Sequence, residues 1–186
     1  MKAYLFSIGE TTEDLAKWSM ERLGFEVVLI KDKNTKFYEK YQEFLRLAKG
    51  EEWVVRYDAD MVITKNFKQI AESYIKIYNG DKQWFQFYLF CFLRYERVNG
   101  VHLIGKKVID EGQKYLDNFF KEYSRPETEF FRTPEVNPLT LTVNETVGIH
   151  GLKQNQKDID RVIEQKKERG QFKHWDLELI QKINEM

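Results

Sequence analysis

The chain has one cysteine, three prolines and no apolar run longer than the seven residues 87–93. A membrane-spanning helix needs roughly 20 apolar residues, so no span is expected. A lone Cys91 excludes an intrachain disulfide and suits a reducing compartment. It lies within that apolar run and reads as a small core residue. Net charge is missing too: 30 Lys and Arg balance 30 Asp and Glu. A chain built to neutralise many phosphates would be basic, so general nucleic-acid binding is not expected. Neither G-x-x-x-x-G-K-[ST] nor G-x-G-x-x-G occurs, which leaves P-loop and dinucleotide readings without a motif. Met1 and Lys2 lead into only six residues before Gly9 and Glu10, too few for the apolar centre of a signal peptide. The expectation is a soluble, cytoplasmic protein.

What is abundant is apolar and aromatic material. The 186 residues are 42% hydrophobic and 15% aromatic, enough for one domain that buries roughly 70% of its unfolded surface. Residues 3–8, 25–30 and 52–63 read as strands, and the first two are short β-branched or aromatic runs. Between them, residues 13–23 form a helix ended by Gly24. Phe37, Tyr41, Phe44, Leu45 and Ala48 form a helical stripe capped by Gly50. Phe67, Ile70, Ala71, Tyr74 and Ile77 give a third stripe, started by Thr64 or Asn66. This β-α-β-α-β-α order predicts a single-domain α/β fold, a three-layer α/β/α sandwich with a mainly parallel central sheet. Residues 84–95 read as a long aromatic strand, 101–104 as a short one and 139–143 as the last. Residues 124–138, with all three prolines, read as loop. Polar helices over 156–169 and 174–184 close the chain. The expected organisation is a nucleotide-binding half over 1–80, an acceptor and metal-completing half over 81–153, and C-terminal helices over 154–186.

The chemistry concentrates in Trp53-Val54-Val55-Arg56-Tyr57-Asp58-Ala59-Asp60. A strand buried on both faces runs into two carboxylates, and strand alternation sends Asp58 and Asp60 to one side. Oxygen donors paired there suit Mg²⁺ or Mn²⁺. In a parallel sheet the ligand lies beyond the carboxyl ends of the strands, and these are residues 7–12, 31–34 and 58–60. Arg56 shares a side with Asp58, ready for an ion pair with it or for a phosphate. His102 in its short strand reads as structural, and His174 as the cap of the last helix.

This D-x-D at the end of the third strand, with His150-Gly151-Leu152-Lys153 some 90 residues later, resembles the GT-A-type glycosyltransferases of the nucleotide-diphospho-sugar transferase superfamily. The resemblance implies a metal held by Asp58, Asp60 and His150, with Mn²⁺ favoured over Mg²⁺ by the imidazole. It also implies a UDP- or GDP-sugar donor bound by Ser7, Gly9, Glu10, Thr11, Asp32 and Asp58, with Arg56 and Lys153 near the diphosphate. An inverting enzyme needs a carboxylate to deprotonate the acceptor hydroxyl. Glu127 and Glu129 are the candidates, Glu129 ahead because it sits beside two phenylalanines, where partial burial raises a carboxylate's pKa. The acceptor side is short, to be completed by a homodimer or a partner. Competing readings are a metal-dependent nucleotidyltransferase or phosphohydrolase, and a non-catalytic sugar-nucleotide-binding scaffold.

Overall fold

The computed structural model describes residues 1–31, 36–78, 83–117, 120, 122–123, 126–133, 136, 139–152, 160 and 164. Asp32, Lys153, His174 and both predicted C-terminal helices, apart from residues 160 and 164, lie outside the described residues.

Seven strands form one mixed sheet: β1 (Lys2–Ser7), β2 (Glu26–Lys31), β3 (Trp53–Asp58), β4 (Met61–Ile63), β5 (Gln83–Cys91), β6 (Glu96–Gly105) and β7 (Leu139–His150). Their order is β2-β1-β3-β6-β5-β7-β4. Strands β1, β2 and β3 pair in parallel, as do β5 and β7, while β6 and β4 pair antiparallel with their neighbours. Five of the seven strands therefore point one way. The helices are α1 (Glu13–Glu21), α2 (Phe37–Ala48), α3 (Phe67–Ile77), α4 (Lys106–Gly112) and α5 (Pro126–Arg132).

Alternation along the central strands explains the two halves of the core. In β1, Ala3 and Leu5 join one apolar cluster and Tyr4 and Phe6 the other; in β3, Val55 and Tyr57 are separated from Val54 in the same way. Helices α1 and α3 bring Ala16, Met20, Phe67 and Ala71 to the first cluster. Helices α2, α4 and α5 bring Tyr41, Phe44, Leu45, Val108, Ile109, Phe130 and Phe131 to the second. Each large side chain taken out of water contributes about 1.5–3 kcal/mol. Helix α2 starts where the Lys36 N–H donates to Glu39 Oε2 at 2.9 Å.

Four expectations need correction. Residues 52–63 are not one strand: the chain turns at Ala59 and Asp60, and β4 pairs with β7 at the far edge of the sheet. Three Cα–Cα steps span at most about 11 Å, whereas four strand spacings on a flat sheet come to about 19 Å. The sheet must therefore curl until its far edge closes over the end of β3. Second, β5 stops at Cys91 and turns back into a ten-residue β6, whose solvent-facing Arg97 and Asn99 hid the alternation. Third, residues 126–132 are helical rather than loop. Proline at the first helical position, followed by two acidic residues, is the usual start of a helix, and it was legible. Fourth, β7 runs on through residues 144–150, so His150 ends a strand. Within the third stripe, Ile77 is 69% exposed and does not join the core.

Gln83 is fully buried at the start of β5, and neither its side-chain oxygen nor its nitrogen has a hydrogen-bond partner among the described residues. A buried amide left unpaired costs about 1–3 kcal/mol. Replacing it with methionine of similar length should raise the melting temperature by roughly 2–6 °C. An unchanged or lower melting temperature would mean that the amide is satisfied in solution.

Candidate functional site

The D-x-D turn is fastened from three sides. The Ala59 N–H donates to the Phe6 carbonyl at 2.9 Å, and the Thr12 hydroxyl donates to the Ala59 carbonyl at 2.7 Å. From the far edge, the Gly151 N–H donates to the Asp60 carbonyl at 2.9 Å. The ends of β1, β3 and β7 thus meet at two residues, because the curl brings β4 and β7 back to them.

Each carboxylate of the turn faces its own cation. Arg56 Nη2 lies 2.5 Å from Asp58 Oδ1, and His150 Nε2 lies 3.1 Å from Asp60 Oδ2. Arg56 is 5% exposed, with its guanidinium 4.7 Å from the Phe6 ring centre and 5.6 Å from those of Phe37 and Tyr41. Asp58 keeps 32% of its side chain open to solvent. The other ring nitrogen of His150, Nδ1, lies 3.1 Å from the sulfur of Cys91. Cys91 is buried, as the sequence implied, but its place against His150 carried no sequence signal.

Burial and the neighbouring Asp60 charge push Asp58 up to about 6, against the pull of Arg56. Burial alone would raise Asp60 as well, but the charge and hydrogen bond of His150 hold it below the usual carboxylate value. His150 is raised well above the ordinary imidazole value: burial opposes its charge, and Asp60 outweighs burial.

The loop after β1 is closed on itself by carboxylates. Glu10 Oε2 accepts from the Ser7 hydroxyl and the Ile8 N–H, both at 2.8 Å, and Ser7 also meets Glu13. Lys31 lies 2.6 Å from Glu13, and buried Lys40 donates to the Ser7 carbonyl at 2.6 Å. Gly9 turns the chain at φ +88°, and Thr11 follows in the turn before α1. Lys40 lay inside the α2 stripe region and had no signal as part of this loop.

The two acidic candidates on α5 part company. Glu129 pairs with Arg132 at 3.1 Å, one turn along the helix. Glu127 has a buried carboxylate oxygen and lies within electrostatic reach of Arg56 and Tyr41. The two carboxylates thus have different surroundings: Phe130 and Phe131 turn inward, while half-buried Glu129 meets Arg132. A cleft of about 400 Å³ lies elsewhere, between β2 and α2, lined by Leu29, Lys31, Glu39, Arg46 and Leu47 among others.

Among the described residues, no three His, Cys, Asp or Glu side chains are gathered as a ready metal cage. The donor set nevertheless fits a hard divalent cation. Among the described residues, Asp60 Oδ1 is buried without a hydrogen-bond partner, and such a carboxylate oxygen is what a cation would satisfy. His150 Nε2 lies beside Asp60, and Asp58 is within electrostatic reach of it, as nitrogen and oxygen donors.

His102 has the structural role its place in a short strand implied. Trp84 Nε1 donates to His102 Nδ1 at 2.8 Å. Burial, with help from the Arg56 charge, keeps His102 well below the ordinary imidazole value. The unfolded chain therefore takes up a proton near pH 6.5 that the folded chain refuses. The stability tied to His102 is complete above that pH and falls as pH drops below it. Urea titrations should show wild type losing stability relative to His102→Gln between pH 6.5 and 5. A gap constant with pH would contradict this.

No protein-family model matches the sequence, and no curated protein matches it. The fold does match solved structures. One is a glycosyltransferase involved in the glycosylation of the major capsid of PBCV-1, with TM-score 0.56 and 10% identity, over 88% of this chain and 98% of that one. Another is 4-diphosphocytidyl-2C-methyl-D-erythritol synthase from Anaerococcus prevotii DSM 20548, with TM-score 0.58 and 11% identity, over 86% and 94%. A third is CMP:2-keto-3-deoxy-manno-octonic acid synthetase complexed with CTP, with TM-score 0.51 and 5% identity, over 91% and 100%. These matches show that the chain shares its fold with a glycosyltransferase, a synthase and a synthetase. No helix among the described residues is long and apolar enough to cross a membrane.

Proposed function

We propose that this chain is a divalent-metal-dependent glycosyltransferase that uses a nucleotide-diphosphate sugar. The observation that carries the reading is the D-x-D turn. It joins the ends of β1, β3 and β7, sets His150 against Asp60, and leaves one buried oxygen of Asp60 without a partner among the described residues.

Asp58, Asp60 and His150 would hold the cation, and the imidazole favours Mn²⁺ over Mg²⁺. Once bound, such an ion neutralises charge that develops on a diphosphate leaving group. The loop of Ser7, Gly9, Glu10 and Thr11 binds the nucleoside; by the resemblance, Asp32 would join it and Lys153 would meet the diphosphate. Arg56, fixed between Asp58 and three aromatic rings, holds a positive charge under the turn. Glu127, within electrostatic reach of Arg56, would take the acceptor hydroxyl's proton as that oxygen bonds to the sugar's anomeric carbon and the bond to the diphosphate breaks.

Nucleotidyl transfer is the second reading, since two of the matched structures are named for cytidyl or CMP compounds, one of them in complex with CTP. A triphosphate asks for backbone N–H groups and cations in the first loop. Here Glu10 caps that loop's N–H, and Glu13 stands beside it. The carboxylates favour the diphosphate-sugar reading.

The test is a thermal-shift screen of UDP-, GDP-, CMP- and dTDP-sugars, each with Mn²⁺, Mg²⁺ or EDTA. A ligand at a hundred times its dissociation constant adds about 2.7 kcal/mol, worth several degrees here. The expected result is a shift for one base, only with metal. Shifts that ignore EDTA, or none with any donor, would overturn the reading.

A further inference from the structure

We propose that Cys91 is a positioning residue for His150: its sulfur holds ring atom Nδ1, so that Nε2 is the nitrogen turned to the D-x-D turn. For the metal site this rests on the reading above; the orientation of the ring does not.

The placement is set by the backbone. Cys91 ends β5 directly opposite His150 at the end of β7, and on the other side of β7 His150 faces Met61, the first residue after the turn. The Phe92 N–H donates to the His150 carbonyl at 3.0 Å, so the backbone holds β5 and β7 in register at this level. The backbone alone leaves the imidazole free to rotate about its side-chain torsions. Two contacts remove that freedom: Cys91 Sγ at 3.1 Å from Nδ1 and Asp60 Oδ2 at 3.1 Å from Nε2. A histidine that serves a metal through one nitrogen is usually oriented through the other, by a carboxylate, a carbonyl or water. In this chain a thiol has that position. In the metal-free ring Nε2–H meets Asp60; with Nδ1–H kept on sulfur, loss of the Nε2 proton would leave that nitrogen's lone pair for the cation. Cys91 is fully buried, so it acts through His150 and does not meet the substrate.

A packing role and a positioning role make opposite forecasts. Valine refills the volume of the thiol without a hydrogen-bonding atom, whereas serine keeps a hydrogen-bonding atom in a smaller side chain. The experiment compares wild type with Cys91→Ser, Cys91→Val and Cys91→Ala by two readouts. The first is the ¹⁵N spectrum of the His150 ring in metal-free protein, assigned through His150→Gln. The second is Mn²⁺ affinity, with the metal alone, from the resonance of free Mn²⁺. In Cys91→Ser the ring signals and affinity should stay close to wild type. In Cys91→Val the ring should lose its single hydrogen-bonded pattern, and Mn²⁺ affinity should fall about 10-fold, the lower end for loss of such an orienting partner. A wild-type ring pattern in Cys91→Val overturns the proposal, and so does failure of Cys91→Ser to keep that pattern. If wild type binds no Mn²⁺, the metal reading fails, and the ring spectra still decide the part of Cys91. If Cys91→Ala unfolds, the serine and valine variants carry the comparison.

Discussion

Asp60→Asn should abolish metal-dependent donor binding and lower turnover roughly 10³-fold, since a metal on a leaving group supplies several kcal/mol of transition-state stabilisation. The substitution is nearly isosteric, the amide oxygen can still accept from His150, and His150, unlike Arg56, can shed its proton, so the fold should lose less than in Asp58→Asn. Asp58→Asn should be as inactive, but it is not as clean. It removes the carboxylate paired with the buried Arg56 guanidinium, leaving only the more distant Glu127 and Asp60 charges. Losing one partner of a wholly buried pair costs about 3–5 kcal/mol; with Asp58 a third exposed, about 1–3 kcal/mol is expected. Read from sequence alone, the two substitutions look alike, and the structure separates them. Donor titrations with and without Mn²⁺, beside melting curves, check both halves. Full metal-dependent binding in Asp60→Asn would remove the D-x-D from the site.

Gly148→Ala should be the most damaging single methyl in the sheet. Gly148 pairs with Ile63 across β7 and β4, and a Cβ there would come within 2.5 Å of the Val62 carbonyl oxygen and 2.7 Å of Leu89. Backbone cannot swing aside as a flexible side chain can. Crowding of this kind costs about 1–3 kcal/mol, here towards the upper end, which corresponds to a fall in melting temperature of roughly 5–10 °C. The strand that must shift is the one that leaves the D-x-D turn, so the pairing of Asp60 with His150 two residues away shifts with it. Mn²⁺ affinity should therefore fall further than in an equally destabilised control, such as Ala71→Gly in helix α3. Equal losses in the two variants would show that β4 does not hold the site.

How much of this could be read without coordinates depended on whether the information was local. The first three strands and their helices were legible because each carries its own period and its own punctuation: Gly24 after α1, Gly50 after α2, and the apolar stripe of α2. The rim that gathers residues 7–12 and the D-x-D also follows from strand order. The fate of residues 61–63 did not. Met61, Val62 and Ile63 look like a continuation of β3, and only the curl of the sheet, a property of all seven strands, carries them to β7. His150 had a sequence signal through its resemblance to a known loop, yet its partner Cys91 had none. The contact depends on the parallel register of β5 and β7, and a lone cysteine in an apolar run has the same appearance whether or not a histidine lies beside it. Glu127 and Glu129 were told apart only by helical phase, which became visible once residues 126–132 proved helical.

The most direct test of the central claim follows both halves of a labelled donor. The protein would be incubated with Mn²⁺ and UDP- or GDP-sugars labelled in the sugar, without an acceptor, and in parallel with nucleoside triphosphates and sugar 1-phosphates. Sugar transfer predicts slow release of free sugar together with nucleoside diphosphate, stopped by EDTA and absent in Asp60→Asn. Pyrophosphate released from a triphosphate and a sugar 1-phosphate, with every intact donor left whole, would contradict it and make the chain a nucleotidyltransferase.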